Sequence, residues 1–175
     1  RGRVVDLTPD RMRTLIDVNV VSSLNALQLL GPRVRRPGGA IVMIGSLASK
    51  LAPRHLGGYA VAKHALAALA GQARLESAAE GVHVLLACPG PIARDDAGAR
   101  YGHLTDASDL PPEAARPGGG AKIRGLDPRR LARDILAASA ARRPEIIRPR
   151  KARLLVAVAA IAPRLGDRLL RRFSS

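Results

Sequence analysis

A hydroxyl at Ser46, a phenol at Tyr59 and an ammonium at Lys63 fall within the stretch GSLASKLAPRHLGGYAVAK, residues 45–63. A four-residue step on a helix stacks Tyr59 and Lys63 on one face. A phenol is a poor acid at neutral pH, but a cation held beside it favours phenolate, so the pair can exchange a proton with a substrate oxygen. A nearby hydroxyl fixes that oxygen by hydrogen bonding. Taken alone, Tyr-x-x-x-Lys reads equally well as a buried ring and a solvated amine.

The elements that must position these groups follow from the pattern around them. The run AIVMI, Ala40 to Ile44, is apolar at consecutive positions, as expected of a strand covered on both faces in a parallel sheet. Ser46 then lies just beyond a strand's carboxyl end, the edge at which open α/β sheets bind ligands. An alanine-rich helix is expected from about Gly58 to Glu80, closed by Gly81 as a left-handed cap. Val82 to Ala87 reads as a second buried strand, leading into Pro89-Gly90-Pro91-Ile92. Upstream, Thr8-Pro9-Asp10 starts a helix whose stripe Met12, Leu15, Ile16, Val20, Leu24, Leu27 ends at Gly31-Pro32. Asn19 lies on that stripe, where a buried amide needs partners: it ties neighbouring backbone together or holds a water. Downstream, Asp127-Pro128 restarts a helix and Glu145 to Ile147 reads as a short last strand. Alternation of strand and helix predicts a parallel α/β sheet.

The spacing resembles that of the short-chain dehydrogenase/reductase family. Ser46 precedes Tyr59 by thirteen residues, Asn19 precedes Ser46 by twenty-seven, and Pro89-Gly90 follows an apolar run where the family's loop meets the nicotinamide. The resemblance implies a Rossmann-type doubly wound sheet and hydride transfer between NAD or NADP and a small-molecule carbonyl or secondary alcohol. It implies catalytic roles for Asn19, Ser46, Tyr59 and Lys63: Tyr59 as proton donor in reduction, Lys63 lowering its pKa and holding the nicotinamide ribose, Ser46 orienting the carbonyl, Asn19 supporting a water-linked relay. Cofactor contacts are implied for Asn19, Tyr59, Lys63, Pro89, Gly90 and the backbone of Ile92. The family's hydroxyl residue two positions after Ile92 is here Arg94, so that side-chain contact is not expected. A homo-oligomer is also implied, through the asparagine helix and the Tyr59 helix.

No Gly-rich dinucleotide fingerprint follows a strand anywhere in the 175 residues. In the family that motif precedes the asparagine helix, so the chain reads as one partial catalytic domain, 1–175, incomplete at its amino end and inactive by itself. Segment 93–126, interrupted by Pro111-Pro112 and Gly118-Gly119-Gly120, reads as a substrate lid or loop, the glycines as a hinge. Segment 151–173 reads as an amphipathic helical stretch interrupted at Pro163.

Composition bounds the alternatives. The net charge of +15 raises nucleic acid as a partner, but the basic residues are dispersed and three aromatics make no stacking platform for single strands, so no nucleic acid is expected. The apolar run Leu154 to Ala162 is far short of the roughly 20 residues of a membrane span. A basic membrane-surface contact by 151–173 is a minority reading, beside packing on the chain's own domain. The single cysteine, Cys88, excludes an internal disulfide and reads as a small buried hydrophobe, with the cytoplasm as the default compartment. A non-catalytic interaction protein that keeps the fold is the other class of reading. Arg54 and His55, in the loop after Ser46, are candidates to face substrate, but most loop histidines are merely solvated and His55 is assigned no role.

Overall fold

The computed structural model describes residues 2–36, 38–94 and 125–173. Helix α1, Pro9–Ile16, opens on the predicted cap, with the Arg11 N–H donating to Thr8 Oγ1 at 3.3 Å. It passes through a π-helical turn, Asp17–Val21, into α2, Ser22–Val34. The helix therefore runs past Gly31-Pro32, where the sequence led us to end it. Pro32 removes one backbone donor but does not stop the chain, and the Arg35 N–H still reaches the Gly31 carbonyl at 3.1 Å.

Strand β1, Ala40–Ile44, leads to Ser46. Helix α3, Gly57–Ser77, carries Tyr59 and Lys63, and after a 3₁₀ turn it closes on Gly81 at φ 71°, as expected of a left-handed cap. Strand β2 covers His83–Pro89, so Cys88 and Pro89 belong to the strand rather than to the turn after it. Helix α4, Pro128–Ala140, is capped by Asp127 Oδ1, which accepts from the Arg130 N–H at 2.6 Å. Strand β3, Glu145–Arg148, is followed by α5, Ala152–Ile161, and α6, Pro163–Phe173, with a break at Ala162.

The three strands form one parallel sheet in the order β1-β2-β3, with Met43 opposite Leu86 and Cys88 opposite Ile147. All seven residues of β2 are buried, because the strand is central and both of its faces are covered. Period-two alternation sorts its side chains. Val84, Leu86 and Cys88 join Met43, Leu66, Ala70 and Ile147 on the face under α3 and α5. Leu85 and Ala87 join Ile146 and Ala138 on the face under α4. Each fully buried Leu or Val there contributes about 1.5–3 kcal/mol.

Strand β1 corrects the expectation of cover on both faces. Ile41 and Met43 pack inward, but Val42 is 36% and Ile44 52% exposed. Helix α4 reaches β2 and β3, and no described element covers that face of β1. Nor does any described strand pair with the outer edge of β1. The three-stranded sheet is thus an open, partial version of the α/β sheet that the sequence predicts.

Candidate active site

The carboxyl ends of β1 and β2 and the first turns of α3 converge on one edge of the sheet. Ser46 follows β1 with extended backbone and caps a short 3₁₀ turn, Leu47–Ser49: its Oγ accepts from the Ala48 N–H at 3.1 Å. Ser49 closes the cap in return, its Oγ accepting from the Ser46 N–H at 3.1 Å. This reciprocal bonding fixes where the Ser46 hydroxyl stands. Gly45 is required beside it, since a Cβ there would lie 2.8 Å from Ser49 Oγ and 3.2 Å from the Ala87 carbonyl oxygen. The loop after Ser46 is fastened to β3 by an ion pair, Lys50 Nζ to Glu145 Oε2, at 2.5 Å.

Tyr59 and Lys63 stack on α3 as the four-residue step requires, with Lys63 Nζ 5.8 Å from the centre of the Tyr59 ring. Lys63 is half-buried and donates to the Ile44 carbonyl at 3.3 Å, tying α3 to the end of β1. Burial pushes its ammonium below the ordinary 10.5, with the field of the Cys88 thiol acting in the opposite sense. The same partial desolvation leaves less water to screen the cation from the phenol beside it.

The π-helical turn bearing Asn19 packs against α3, and Gly58 makes the close approach of α1 possible: a Cβ there would meet Leu7, Leu15 and Met12 at 2.7, 2.8 and 3.2 Å. Asn19 Nδ2 donates to the Leu15 carbonyl at 2.9 Å, and the Asn19 carbonyl accepts from Ser23 Oγ at 2.9 Å. The side chain therefore ties neighbouring backbone together.

On the β2 side, Pro89 ends the strand and the Gly90 N–H donates to the Arg148 carbonyl at 2.7 Å. A Cβ on Gly90 would stand 3.2 Å from Leu47 Cδ1 and 3.4 Å from Pro149 Cδ, so the glycine lets these side chains pack close against the end of the strand. Ile92 faces Leu126 in a parallel bridge made by the Ala93 N–H and the Pro91 carbonyl, at 2.8 Å each. That pattern turns the peptide groups of Ile92 itself away from Leu126. Of segment 93–126, residues 95–124, including Gly118 to Gly120, lie outside the described residues. His55 adopts φ 64°, and its Nδ1 is buried without a partner among the described residues.

Sequence reasoning missed Ser49 and the Lys50–Glu145 pair. The repeat Ser46-x-x-Ser49 carries the signal for the first, since hydroxyls three apart can form a capping box. Nothing local signals the second, whose partners are far apart in the chain. Cys88, read as a buried hydrophobe, is 1% exposed. Its thiol is pushed up to about 11 by burial first and the Glu145 carboxylate second, against Lys50, the Ser46 N–H and Ser49. At pH 8 about 0.1% of it is then thiolate. The folded chain is expected to resist an aromatic disulfide reagent at pH 8 that labels it fully in denaturant; rapid labelling without denaturant would show that the core does not hold Cys88.

The chain belongs to the short chain dehydrogenase family, whose model matches residues 1–101. It is 26% identical over 155 residues to dehydrogenase/reductase SDR family member 7B of Bos taurus, a match that spans 84% of this chain and 43% of the relative. To dehydrogenase/reductase SDR family member 4 of Oryctolagus cuniculus it is 32% identical over 92 residues, 52% of this chain and 35% of the relative. The chain thus spans less than half the length of these curated relatives. Among solved structures it is similar to a short chain dehydrogenase from Burkholderia cenocepacia in complex with NADP, with a TM-score of 0.74, 20% identity, and 97% of this chain and 63% of that one covered. A short-chain dehydrogenase from Streptomyces avermitilis gives a TM-score of 0.70 at 20% identity, over 99% of this chain and 65% of that one. These two likenesses show the Rossmann-type α/β fold.

Proposed function

We propose that this chain carries the catalytic segment of an NAD(P)-dependent oxidoreductase acting on a carbonyl or secondary alcohol. The observation that carries the reading is the Lys63 ammonium stacked 5.8 Å from the Tyr59 ring, at the strand edge where Ser46 is fixed, in a chain of this family. In reduction, the Tyr59 hydroxyl gives its proton to the substrate oxygen. Lys63 stabilises the phenolate left behind, and the Ser46 hydroxyl donates a hydrogen bond to the same oxygen. Asn19 supports a water-linked relay through which a proton returns to the tyrosine. A bound nicotinamide cofactor supplies the hydride.

The residues at this edge suit the nicotinamide end of such a cofactor. Gly90 brings its backbone close to Leu47, the peptide groups of Ile92 point away from their bridge, and Pro89, Asn19, Tyr59 and Lys63 complete the set of contacts that membership of the family implies. Among the described residues no Gly-rich turn opens a helix after a strand, so the pyrophosphate and adenosine have no cradle here. The substrate is a small molecule, and in the whole protein a homo-oligomer is part of the same proposal.

Behind an intact Gly-rich nucleotide-binding unit, Lys63→Met tests the reading. It is expected to weaken cofactor binding and to move the basic limb of the reductive pH profile to higher pH. Without the neighbouring cation the phenolate is less favoured, so the phenol keeps its proton to higher pH. An unchanged profile together with unchanged cofactor affinity would make Lys63 a solvated lysine and sink the assignment.

A further inference from the structure

Helices α5 and α6 present a face that the other described elements leave bare. On α5, Leu155, Val156 and Val158 are partly covered, whereas Leu154 is 73% and Ile161 85% exposed. Leu154, Ala157 and Ile161 recur at three- and four-residue steps and form one outward apolar stripe. The two helices are tightly joined: a Cβ on Gly166 would lie 2.6 Å from the Ala159 Cα, and the Leu165 N–H reaches the Ala162 carbonyl at 3.0 Å. Just past that corner Leu165 is 47% exposed. Arg164, Arg168 and Arg172 follow at four-residue steps on the exposed side of α6. Among the described residues these three arginines make no ion pair.

The charge around this face is one-sided. Residues 150–173 hold seven basic side chains and one acid, Asp167, which lines a cavity of about 370 Å³ with Ala52, Arg54, Leu170 and Arg171. A surface of this kind needs an occupant that accepts large aliphatic side chains and neutralises several arginines at once. Nucleic acid meets only the second need. An anionic bilayer meets both, since an amphipathic helix buries its apolar residues about 5–10 Å into the headgroup boundary while its arginines remain among the phosphates. No helix of the described residues is long and apolar enough to cross a membrane, so the contact is a surface one.

We propose that the α5–α6 corner, through Leu154, Ile161 and Leu165 with Arg164, Arg168 and Arg172, docks this chain on the surface of an anionic lipid bilayer. The test is flotation of the full chain with phosphatidylcholine vesicles, with and without phosphatidylserine, because aggregated protein sinks while bound protein rises. The chain is expected to rise with the phosphatidylserine vesicles, to stay down with phosphatidylcholine alone, and to lose binding as salt is raised. The double variant Ile161→Ser, Leu165→Ser is expected to lower the bound fraction about tenfold or more, with an unchanged circular dichroism spectrum, since both side chains are solvent-facing. Arg164→Gln and Arg168→Gln should each weaken binding about fivefold, whereas Arg33→Gln on α2 should leave it unchanged.

Failure to rise with anionic vesicles would overturn the proposal. So would an Arg33→Gln loss equal to that of Arg168→Gln, or binding that ignores the serine substitutions and is matched by duplex DNA. Either outcome would mean attraction by the overall charge of +15 alone.

Discussion

Tyr59→Phe is expected to abolish carbonyl reduction, lowering turnover by about 10²-fold or more, when these residues stand behind an intact Gly-rich nucleotide-binding unit. The substitution removes one hydroxyl and keeps the ring that packs against Ala48, Leu56 and Ala60. Fold and cofactor affinity should therefore change little, and the loss should appear in kcat rather than in binding. Steady-state kinetics beside a thermal melt and a cofactor titration separate these effects. A variant that kept more than a few per cent of the turnover would remove Tyr59 from the role of essential acid. A variant that lost its fold would instead show the melt shifting with the activity, and Lys63→Met would then carry the test alone.

The second large effect concerns the 175-residue chain by itself. It is expected to bind neither NADH nor NADPH measurably and to turn over no carbonyl substrate, although Asn19, Ser46, Tyr59 and Lys63 are all present. A dinucleotide is held largely through its pyrophosphate, by a Gly-rich turn and a helix amino terminus, and among the described residues no such turn follows a strand. The sheet adds a second liability. Strand β1 has no partner on its outer edge among the described strands and exposes Val42 and Ile44 on one face. An unpaired edge with apolar side chains beside it is a template for pairing with another chain. The chain should therefore melt at modest temperature and associate as its concentration rises. Calorimetric titration with both nucleotides and light scattering across a concentration series decide the matter. Saturable, tight binding to a monodisperse sample would mean that the nucleotide site is built from residues read here as loop.

The parts of this structure that sequence revealed are those encoded locally. The Tyr59–Lys63 stack follows from a four-residue step, the caps at Thr8, Asp127 and Gly81 from single residue types, and the buried β2 from a continuous apolar run. Ser46 is found by its interval to Tyr59 and Asn19 by its interval to Ser46, a pattern that resemblance supplies and that no local rule dictates. What escaped was non-local. The run AIVMI has the same composition whether or not a helix lies over Val42 and Ile44, so its one bare face could not be read from it. The Lys50–Glu145 pair joins residues brought together only by the β1-β2-β3 order. Pro32 misled for a different reason: near a helix end one missing N–H is tolerated for the last few residues, so the breaker sits inside the element that it was expected to end.

The π-helical turn at Asp17–Val21 has a consequence for which insertions and deletions this chain can survive. Such a turn amounts to one residue beyond what an α-helix needs over the same rise. Removing a single residue from it, Val20 for example, would let α1 and α2 fuse into one regular helix, and local helix stability would not suffer. Because the turn takes up its extra residue locally, side chains beyond the deletion would keep their facing relative to those before it. Leu27 would stay on the core beside Met43, whereas a deletion within the regular part of α2 ahead of it would turn it by about 100° toward solvent. The cost of losing Val20 would fall on the local groups, among them the bond from the Ser23 hydroxyl to the Asn19 carbonyl. The turn keeps α1 against Gly58 and α2 against the sheet, with Asn19 in the widened turn between them.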